Sequence, residues 1–220
     1  MTADEAPRPD THDMVLVHQV FRRELGLLPG LIRAVSDGDT ARSEQLGAHA
    51  AVMLEFLAVH HAGEDELLWP KLLERVPSAP VTVERMERAH GEVHDRLVRV
   101  EDILPVWRAS AAATDGEELA EAIVALSARL NDHLIDEEYA VLPLVIGNIS
   151  VDEWAELGAH GLAHVAPQDR LAVLGGILEE TDDAERATFL GHIDPVATQL
   201  WNGGGAEAYA TYVAVIRGTG

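Results

Sequence analysis

Histidine and glutamate recur at a spacing of four residues along this sequence. Three such pairs are His60/Glu64, His90/His94 and His133/Glu137. Residues four apart lie about 40° apart around an α-helix, so the side chains of each pair point in nearly one direction. Imidazole and carboxylate groups that converge are ligands for iron, manganese or zinc. Because the 220 residues include no cysteine, thiolate zinc sites and iron–sulfur clusters are excluded, and a metal site must use nitrogen and oxygen ligands.

The elements that must position these residues are amphipathic helices. Apolar residues recur at alternating three- and four-residue steps, which is the pattern of a helix packed against other helices. Four long segments show it, and they begin near Met14, Thr40, Val83 and Thr114. A further histidine, His18, lies on the apolar face of the first segment. Because each segment can form about 20 or more helical residues, or about 30 Å, the sequence predicts an all-α protein built on an up-down four-helix bundle.

Shorter helical segments, richer in alanine and glycine, follow the bundle. Ser150 and Glu153 form a capping box, which predicts that a helix begins there. We therefore predict a four-helix bundle over residues 10–147 and an appended C-terminal helical layer over residues 150–220 that packs on the bundle.

The sequence contains an internal repeat. Residues 60–70 and 133–143 share a histidine, a glutamate four residues later, a second acid directly after it, and a proline ten residues after the histidine. The segments around His18 and His90 also correspond, since each has a leucine seven residues after the histidine. The bundle is therefore expected to consist of two fused helical hairpins, and a pseudo-twofold arrangement brings both sets of polar residues to one central point.

Polar residues in an apolar seam require compensation. A charged group buried without a partner costs several kcal/mol, whereas a cation compensates several such groups together. Carboxylates that can bridge two ions favour a dimetal centre over a single metal. The candidate ligands on this reasoning are His18, His60, Glu64, His90, His94, His133 and Glu137.

In their order along the chain these motifs resemble the hemerythrin family. The family has one histidine on the first helix, His-x-x-x-Glu on the second, His-x-x-x-His on the third and His-x-x-x-x-Asp/Glu on the fourth. This sequence matches that pattern with His18, His60/Glu64, His90/His94 and His133/Glu138, over roughly residues 10–147. The resemblance implies two non-haem iron ions bridged by two carboxylates and an oxo or hydroxo group, with one iron open to dioxygen or a related small ligand.

The fourth helix offers two adjacent acids for one ligand position. The family spacing selects Glu138, but five residues after His133 an ideal helix has turned by about 140°. The apolar face and the internal repeat select Glu137 instead. A local π-type widening would reconcile Glu138 with the geometry. We expect one acid to bridge the metals and the other to accept a hydrogen bond from a histidine N–H.

Other histidines are expected to lie outside the ligand set. His61 and Asp65 copy the four-residue spacing, but Asp65 leaves the apolar face, so His61 is assigned a supporting or surface role. His160 and His164 form another pair without a matching acidic motif, which favours packing or surface roles. No role is expected for His49.

Composition limits the classes of partner. The 16 Lys+Arg against 38 Asp+Glu give a formal net charge of −22, which disfavours binding to nucleic acid or to an anionic membrane surface. No stretch approaches the roughly 18 apolar residues that span a bilayer. The N-terminal stretch lacks the basic and apolar regions of a signal peptide, so a cytoplasmic protein is expected.

Three functions are compatible with such a site. The resemblance implies a diiron protein that binds dioxygen, or that senses oxygen or nitric oxide. The alternative is an enzyme that decomposes peroxide or oxidises a small reductant, because pocket polarity and proton donors separate binding from activation and sequence does not show them. The third is a helical module with a structural metal.

Overall fold

The computed structural model describes residues 7–219, which form helices joined by short turns and contain no strand. Residues 1–6, part of the stretch from which the absence of an export signal was predicted, lie outside this range. Within it, no helix is long and apolar enough to cross a membrane. The helices are α1 (His12–Arg33), α2 (Thr40–Gly63), a π-turn (Glu64–Leu68), α3 (Trp69–Arg75), α4 (Ala79–Ser110), α5 (Ala113–Ala140), α6 (Leu142–Asn148), α7 (Val151–His164), α8 (Arg170–Leu178), α9 (Asp183–His192), α10 (Pro195–Leu200), a second π-turn (Trp201–Gly205) and α11 (Ala206–Arg217).

The four long helices form the predicted bundle. α1 packs against α2 and α5, and α4 packs against α2 and α5, so each long helix has two bundle neighbours. Local chemistry sets some of the helix ends. The Asp39 carboxylate accepts a hydrogen bond from the backbone N–H of Arg42, which caps the start of α2. The prediction of an all-α bundle is confirmed.

The bundle core is divided into two apolar clusters, with a polar layer between them. Along α1, Met14 belongs to the smaller cluster and Val20 to the larger one, and His18 lies between them. The same order holds in α4, where His90 separates Met86 from Val93. Because the helices lie side by side, these interruptions fall at one level of the bundle.

Two prolines disturb the helices just beyond this polar layer. A proline has no N–H to donate, and its ring collides with the carbonyl group four residues earlier in a regular helix. Before Pro70 the helix widens into the π-turn Glu64–Leu68, whereas before Pro143 helix α5 ends at Ala140 and α6 begins at Leu142. The π-type widening considered for the fourth helix therefore occurs in the second one, and α5 is a regular helix through Glu137 and Glu138.

The C-terminal helices form a layer on one side of the bundle. The predicted capping box is present, because the Ser150 hydroxyl accepts from the backbone N–H of Glu153 at 3.2 Å and the Glu153 carboxylate accepts from the backbone N–H of Ser150 at 3.0 Å. α8 packs on α1 and α2, α11 packs on α8 and α2, and α7 packs on α2 and the first π-turn. Apolar side chains of α8 and α11 join the larger bundle cluster, so the layer shares the core of the bundle.

Candidate metal centre

Seven histidine and glutamate side chains meet in the polar layer, and they form two groups. In one group the donor atoms of His61, Glu64, His90 and His133 lie within 4.8 Å of one another, and in the other those of His18, His60, Glu64 and Glu137 do so. Every long helix contributes to the centre, and Glu64 is the first residue of the π-turn that continues α2. Because Glu64 belongs to both groups, the arrangement can hold two cations side by side.

Both glutamates lie between the two groups. Glu64 Oε1 is 3.2 Å from His60 Nε2, and Glu64 Oε2 is 3.3 Å from His90 Nε2. Glu137 Oε2 is 3.5 Å from His18 Nε2 and 3.6 Å from His133 Nε2. Each carboxylate therefore reaches one histidine of each group, which is the position that a bridging carboxylate requires.

Most donor atoms of the centre lack hydrogen-bond partners, although they are buried; the exceptions are Nε2 of His18 and Nε2 of His60, which lie 3.2 Å apart. Among residues 7–219 the atoms without a partner include His61 Nε2, His90 Nε2, both ring nitrogens of His133 and all four carboxylate oxygens of Glu64 and Glu137. Buried polar groups are nearly always hydrogen-bonded, and each one left unpaired costs about 1–3 kcal/mol. A pair of cations would satisfy one nitrogen of each histidine and the four carboxylate oxygens together. The residues present therefore fit a metal pair, and their nitrogen and oxygen donors suit iron, manganese or zinc.

The acid that follows each central glutamate binds the outer side of a histidine. Glu138 Oε1 lies 2.7 Å from His18 Nδ1, and Asp65 Oδ1 lies 2.8 Å from His90 Nδ1. An ionised carboxylate only accepts hydrogen bonds, so Nδ1 of each histidine carries the proton. Nε2 of each histidine therefore carries the lone pair that a metal ion needs, and it lies within 3.5 Å of an oxygen of a central glutamate; His18 Nε2 is also 3.2 Å from His60 Nε2.

These outer acids have different second partners. Arg22 donates to Glu138 Oε1 at 2.8 Å, whereas the Trp69 indole donates to Asp65 Oδ1 at 2.8 Å. A charged guanidinium therefore accompanies one acid and a neutral indole the other.

Burial shifts the pKa values of the central groups towards their neutral forms. It raises the pKa of Glu64 to about 8, and burial together with the charge of Glu64 raises the pKa of Glu137. It lowers the pKa of His60 and His61, and it lowers the pKa of His133 to about 3. Neutral imidazole is the form that binds a metal, whereas the carboxylates need a nearby cation to be ionised at neutral pH.

Two sequence assignments differ from the structure. His94 was expected to be a ligand, but it is exposed on α4 and lies outside both groups. The buried face of α4 runs from His90 through Val93 to Leu97, in a three-residue and then a four-residue step, so His94 lies beside that face. His61 was placed outside the ligand set, yet it is buried in one of the groups. The signal in the sequence was its three-residue spacing to Glu64, which also brings two side chains together on a helix.

The remaining candidates lie as follows. Glu138 is at the outer nitrogen of His18 and belongs to neither group, while Glu137 occupies the centre. His160 lies outside both groups and lines the contact between α7 and Gly63. Asp65 and Trp69 were not among the predicted site residues. The signal that could have found Asp65 is the internal repeat, which places it at the position of Glu138.

Comparison with known families agrees with this geometry. The sequence family model of the hemerythrin HHE cation-binding domain matches residues 10–145. This range contains every residue of the two groups. No match was found among curated proteins or among solved structures. The matched range covers more than half of the chain, and it follows that this chain belongs to the hemerythrin HHE cation-binding family, with histidine and glutamate clusters that could hold metal ions.

Proposed function

We propose that this chain is a non-haem diiron protein that reversibly binds dioxygen or a related small ligand such as nitric oxide. In this proposal Glu64 and Glu137 would hold both irons. The histidine ligands are His61, His90 and His133 on one iron and His18 and His60 on the other. Iron in such a site supplies the electrons for a reversible reaction with dioxygen.

The observation that carries the proposal is the unequal division of five histidines around two carboxylates. Both groups share Glu64, and Glu137 Oε2 lies 3.5 Å from His18 Nε2 and 3.6 Å from His133 Nε2. One group contains three imidazoles and the other contains two. If both ions share the same bridging groups, the two-histidine side has one protein ligand fewer. That side therefore offers a position to a small exogenous ligand, while the three-histidine side is closed by protein.

The surroundings of the two-histidine side favour binding over oxidative catalysis. The ring of Phe21 lies 5.4 Å from that of His60, and the ring of Phe56 lies 5.0 Å from that of Phe21. Both phenylalanines are buried and neither can donate a proton. Cleavage of a peroxide bond needs proton donors near the ligand, whereas reversible binding is favoured by an apolar pocket. Dioxygen or nitric oxide is therefore a better fit than peroxide turnover.

The test is anaerobic reconstitution with Fe²⁺ followed by exposure to dioxygen. We expect two irons per chain by elemental analysis and a visible charge-transfer band that appears with dioxygen and disappears when dioxygen is removed. Glu64→Gln should abolish the band, and His94→Ala, on an exposed face of α4, should leave it unchanged. A chain that retains no iron would refute the proposal, and sustained peroxide turnover without reversible binding would favour the enzyme.

A further inference from the structure

Two histidines of the C-terminal layer, His160 and His164 on α7, lie side by side outside the buried centre. They are four residues apart on a regular helix, so their side chains leave the helix on one face. Their ring centroids are 4.1 Å apart, and the ring planes are inclined by 32°. Two histidines at this spacing on one helix face can chelate zinc and similar ions.

Each ring of this pair has a nitrogen that is available to an ion. His164 Nδ1 lies 2.8 Å from the backbone carbonyl oxygen of His160, which only accepts hydrogen bonds. Nδ1 of His164 therefore carries the proton, and its Nε2 carries the lone pair. Within residues 7–219, no group forms a hydrogen bond or an ion pair with a ring nitrogen of His160. Because His160 is partly exposed and His164 is exposed, water can complete the coordination of an ion held by both rings.

The pair lies against the segment that carries three of the seven side chains of the buried centre. α7 packs on α2 and on the first π-turn, which supply these side chains. The contact is close at Gly63, where a Cβ atom would lie 3.2 Å from Cδ2 of the His160 ring. Gly63 directly precedes Glu64, and the other repeat has Asp136 at its position. The glycine therefore allows one imidazole of the pair to pack beside the backbone that leads into a central glutamate.

The exposed pair and the buried centre differ in how an ion reaches them. Most donor atoms of the centre are shielded from solvent, whereas the pair is open to it. The net charge of −22 attracts cations to the surface, where an exposed chelating pair is the first to bind them. Each buried group offers four protein ligands and the pair offers two, so an ion on the pair is bound more weakly than an ion in the centre. The difference in affinity favours transfer from the pair to the centre.

We propose that His160 and His164 form a separate surface site that captures a divalent transition-metal ion and raises the rate at which the buried centre is loaded. Imidazole nitrogens suit Zn²⁺, Cu²⁺ and Fe²⁺. The capture role rests on a buried centre that holds metal ions, but it does not depend on iron or on dioxygen.

Equilibrium dialysis against excess Zn²⁺, followed by elemental analysis, tests the site itself. Wild type should retain one ion more per chain than His164→Ala, because a single imidazole does not chelate. His160→Phe, which keeps an aromatic ring against Gly63, should lose the same ion. His94→Ala is the matched control, since this exposed histidine has no second exposed imidazole on its helix face and its removal should leave the ion count unchanged. Circular dichroism checks that the variants keep their helix content.

Stopped-flow mixing of the metal-free protein with limiting Co²⁺ tests the capture role. The visible absorption bands of Co²⁺ in the buried centre report its loading. Wild type should load about tenfold or more faster than His164→Ala and His160→Phe. The affinity of the centre for Co²⁺ at equilibrium should be the same in all three proteins. A role in packing alone would change the stability of the fold and leave the loading rate unchanged.

The possible results separate this inference from the proposed function. Equal ion counts in wild type and in both variants of the pair, or equal rates of loading, would overturn the inference. A lower ion count and slower loading in these variants would support it even if the iron form of the protein did not bind dioxygen, a result that would refute the proposed function. Reversible dioxygen binding with unchanged ion counts would do the reverse.

Discussion

At the scale of single residues, the two acids at positions 137 and 138 have different environments although they are adjacent. Glu137 is fully buried among the donor atoms of the centre, with no hydrogen-bond partner for either oxygen in the described part of the chain. Glu138 is half-buried and accepts from His18 and Arg22. The first fits a ligand, and the second fits a residue that orients a ligand.

This difference predicts unequal effects of the same substitution. Glu137→Gln should remove a bridging ligand and lower the metal content from two ions per chain to one or fewer. Glu138→Gln keeps an oxygen that can accept from His18, so the protein should still bind two ions. The affinity for the ion that His18 holds should fall by about 10- to 100-fold. Elemental analysis after dialysis measures the metal content of Glu137→Gln, and titration with Co²⁺ measures the ion affinity of Glu138→Gln. The assignment would be wrong if Glu138→Gln lost an ion and Glu137→Gln kept both.

Most of the residues that the structure brings together could be predicted from spacing, and the two differences, at His94 and His61, have a common cause. The spacing brought His18, His60, Glu64, His90 and His133 together because residues on one helix face stay on that face whatever the packing. The choice between His94 and His61 depended on the rotation of α4 and α2 about their axes. Both histidines lie near the edge of an apolar face, and a few tens of degrees of rotation decide which one enters the core. Packing sets that rotation, so spacing alone could not give it.

At the scale of elements, α8 lies between the bundle and α11 at very close approach. A Cβ atom at Gly175 would overlap the ring of Tyr209 on α11 at Cδ2 and at Cγ, the ring atom that is bonded to Cβ of the tyrosine. A Cβ atom at Gly176 would lie 3.2 Å from Cγ1 of Val20 on α1. The two adjacent glycines therefore allow α8 to contact a helix on either side.

We expect Gly175→Ala to destabilise the C-terminal layer. The new methyl group must displace α11, because the overlapping atoms are at the base of a ring and cannot swing away, and overpacking of this kind costs about 1–3 kcal/mol. Gly91→Ala is the control, since its Cβ would have no heavy atom within 4 Å. That variant should gain about 0.5–1 kcal/mol, as alanine is the better helix former. Urea unfolding measures both, and equal stabilities of the two variants would contradict the close packing of α8.

The interruptions of α2 and α5 show how far the sequence predicts where these helices end. Pro70 and Pro143 occupy the same place in the two repeats, so a disturbance after each central glutamate was predictable from the chemistry of proline. Helix α2 is followed by a π-turn, whereas α5 is separated from α6 by a break at Val141. The prolines are alike, but the π-turn packs against α7, which is distant in sequence, so the chemistry of proline alone could not distinguish the two outcomes.

At the scale of the whole molecule, one buried carboxylate joins the C-terminal layer to the bundle. Glu24 on α1 accepts from Arg217 on α11 at 3.0 Å and from Arg23 at 2.7 Å. Its other oxygen is 3.1 Å from His49 Nε2 on α2, and His49 Nδ1 is 2.7 Å from the hydroxyl of Tyr212 on α11. His49, for which the sequence suggested no role, is thus part of the connection between three helices. His49 and Arg217 are far from Glu24 in sequence, so no local pattern could identify them as its partners.

This network should make the attachment of the layer sensitive to acid. Burial opposes ionisation of Glu24, but hydrogen bonds from His49 and Arg23 outweigh it and lower the pKa to about 2. A carboxyl whose pKa is lower in the folded chain stabilises the fold above its unfolded pKa of about 4.5, and that contribution is lost as the pH falls from 4.5 towards 2. The shift corresponds to about 3 kcal/mol.

Glu24→Gln should therefore lower the free energy of unfolding by about 2–3 kcal/mol at pH 7, and the difference from wild type should shrink as the pH falls from 4.5 to 2. Comparing the two proteins at each pH cancels the effect of acid on the metal centre, which both share. Glu55→Gln, at an exposed position of α2, is the control and should match wild type at every pH. Urea unfolding between pH 2 and pH 7 provides the measurement. A difference from wild type that stays constant across this range would show that the charge of Glu24 does not hold the C-terminal layer on the bundle.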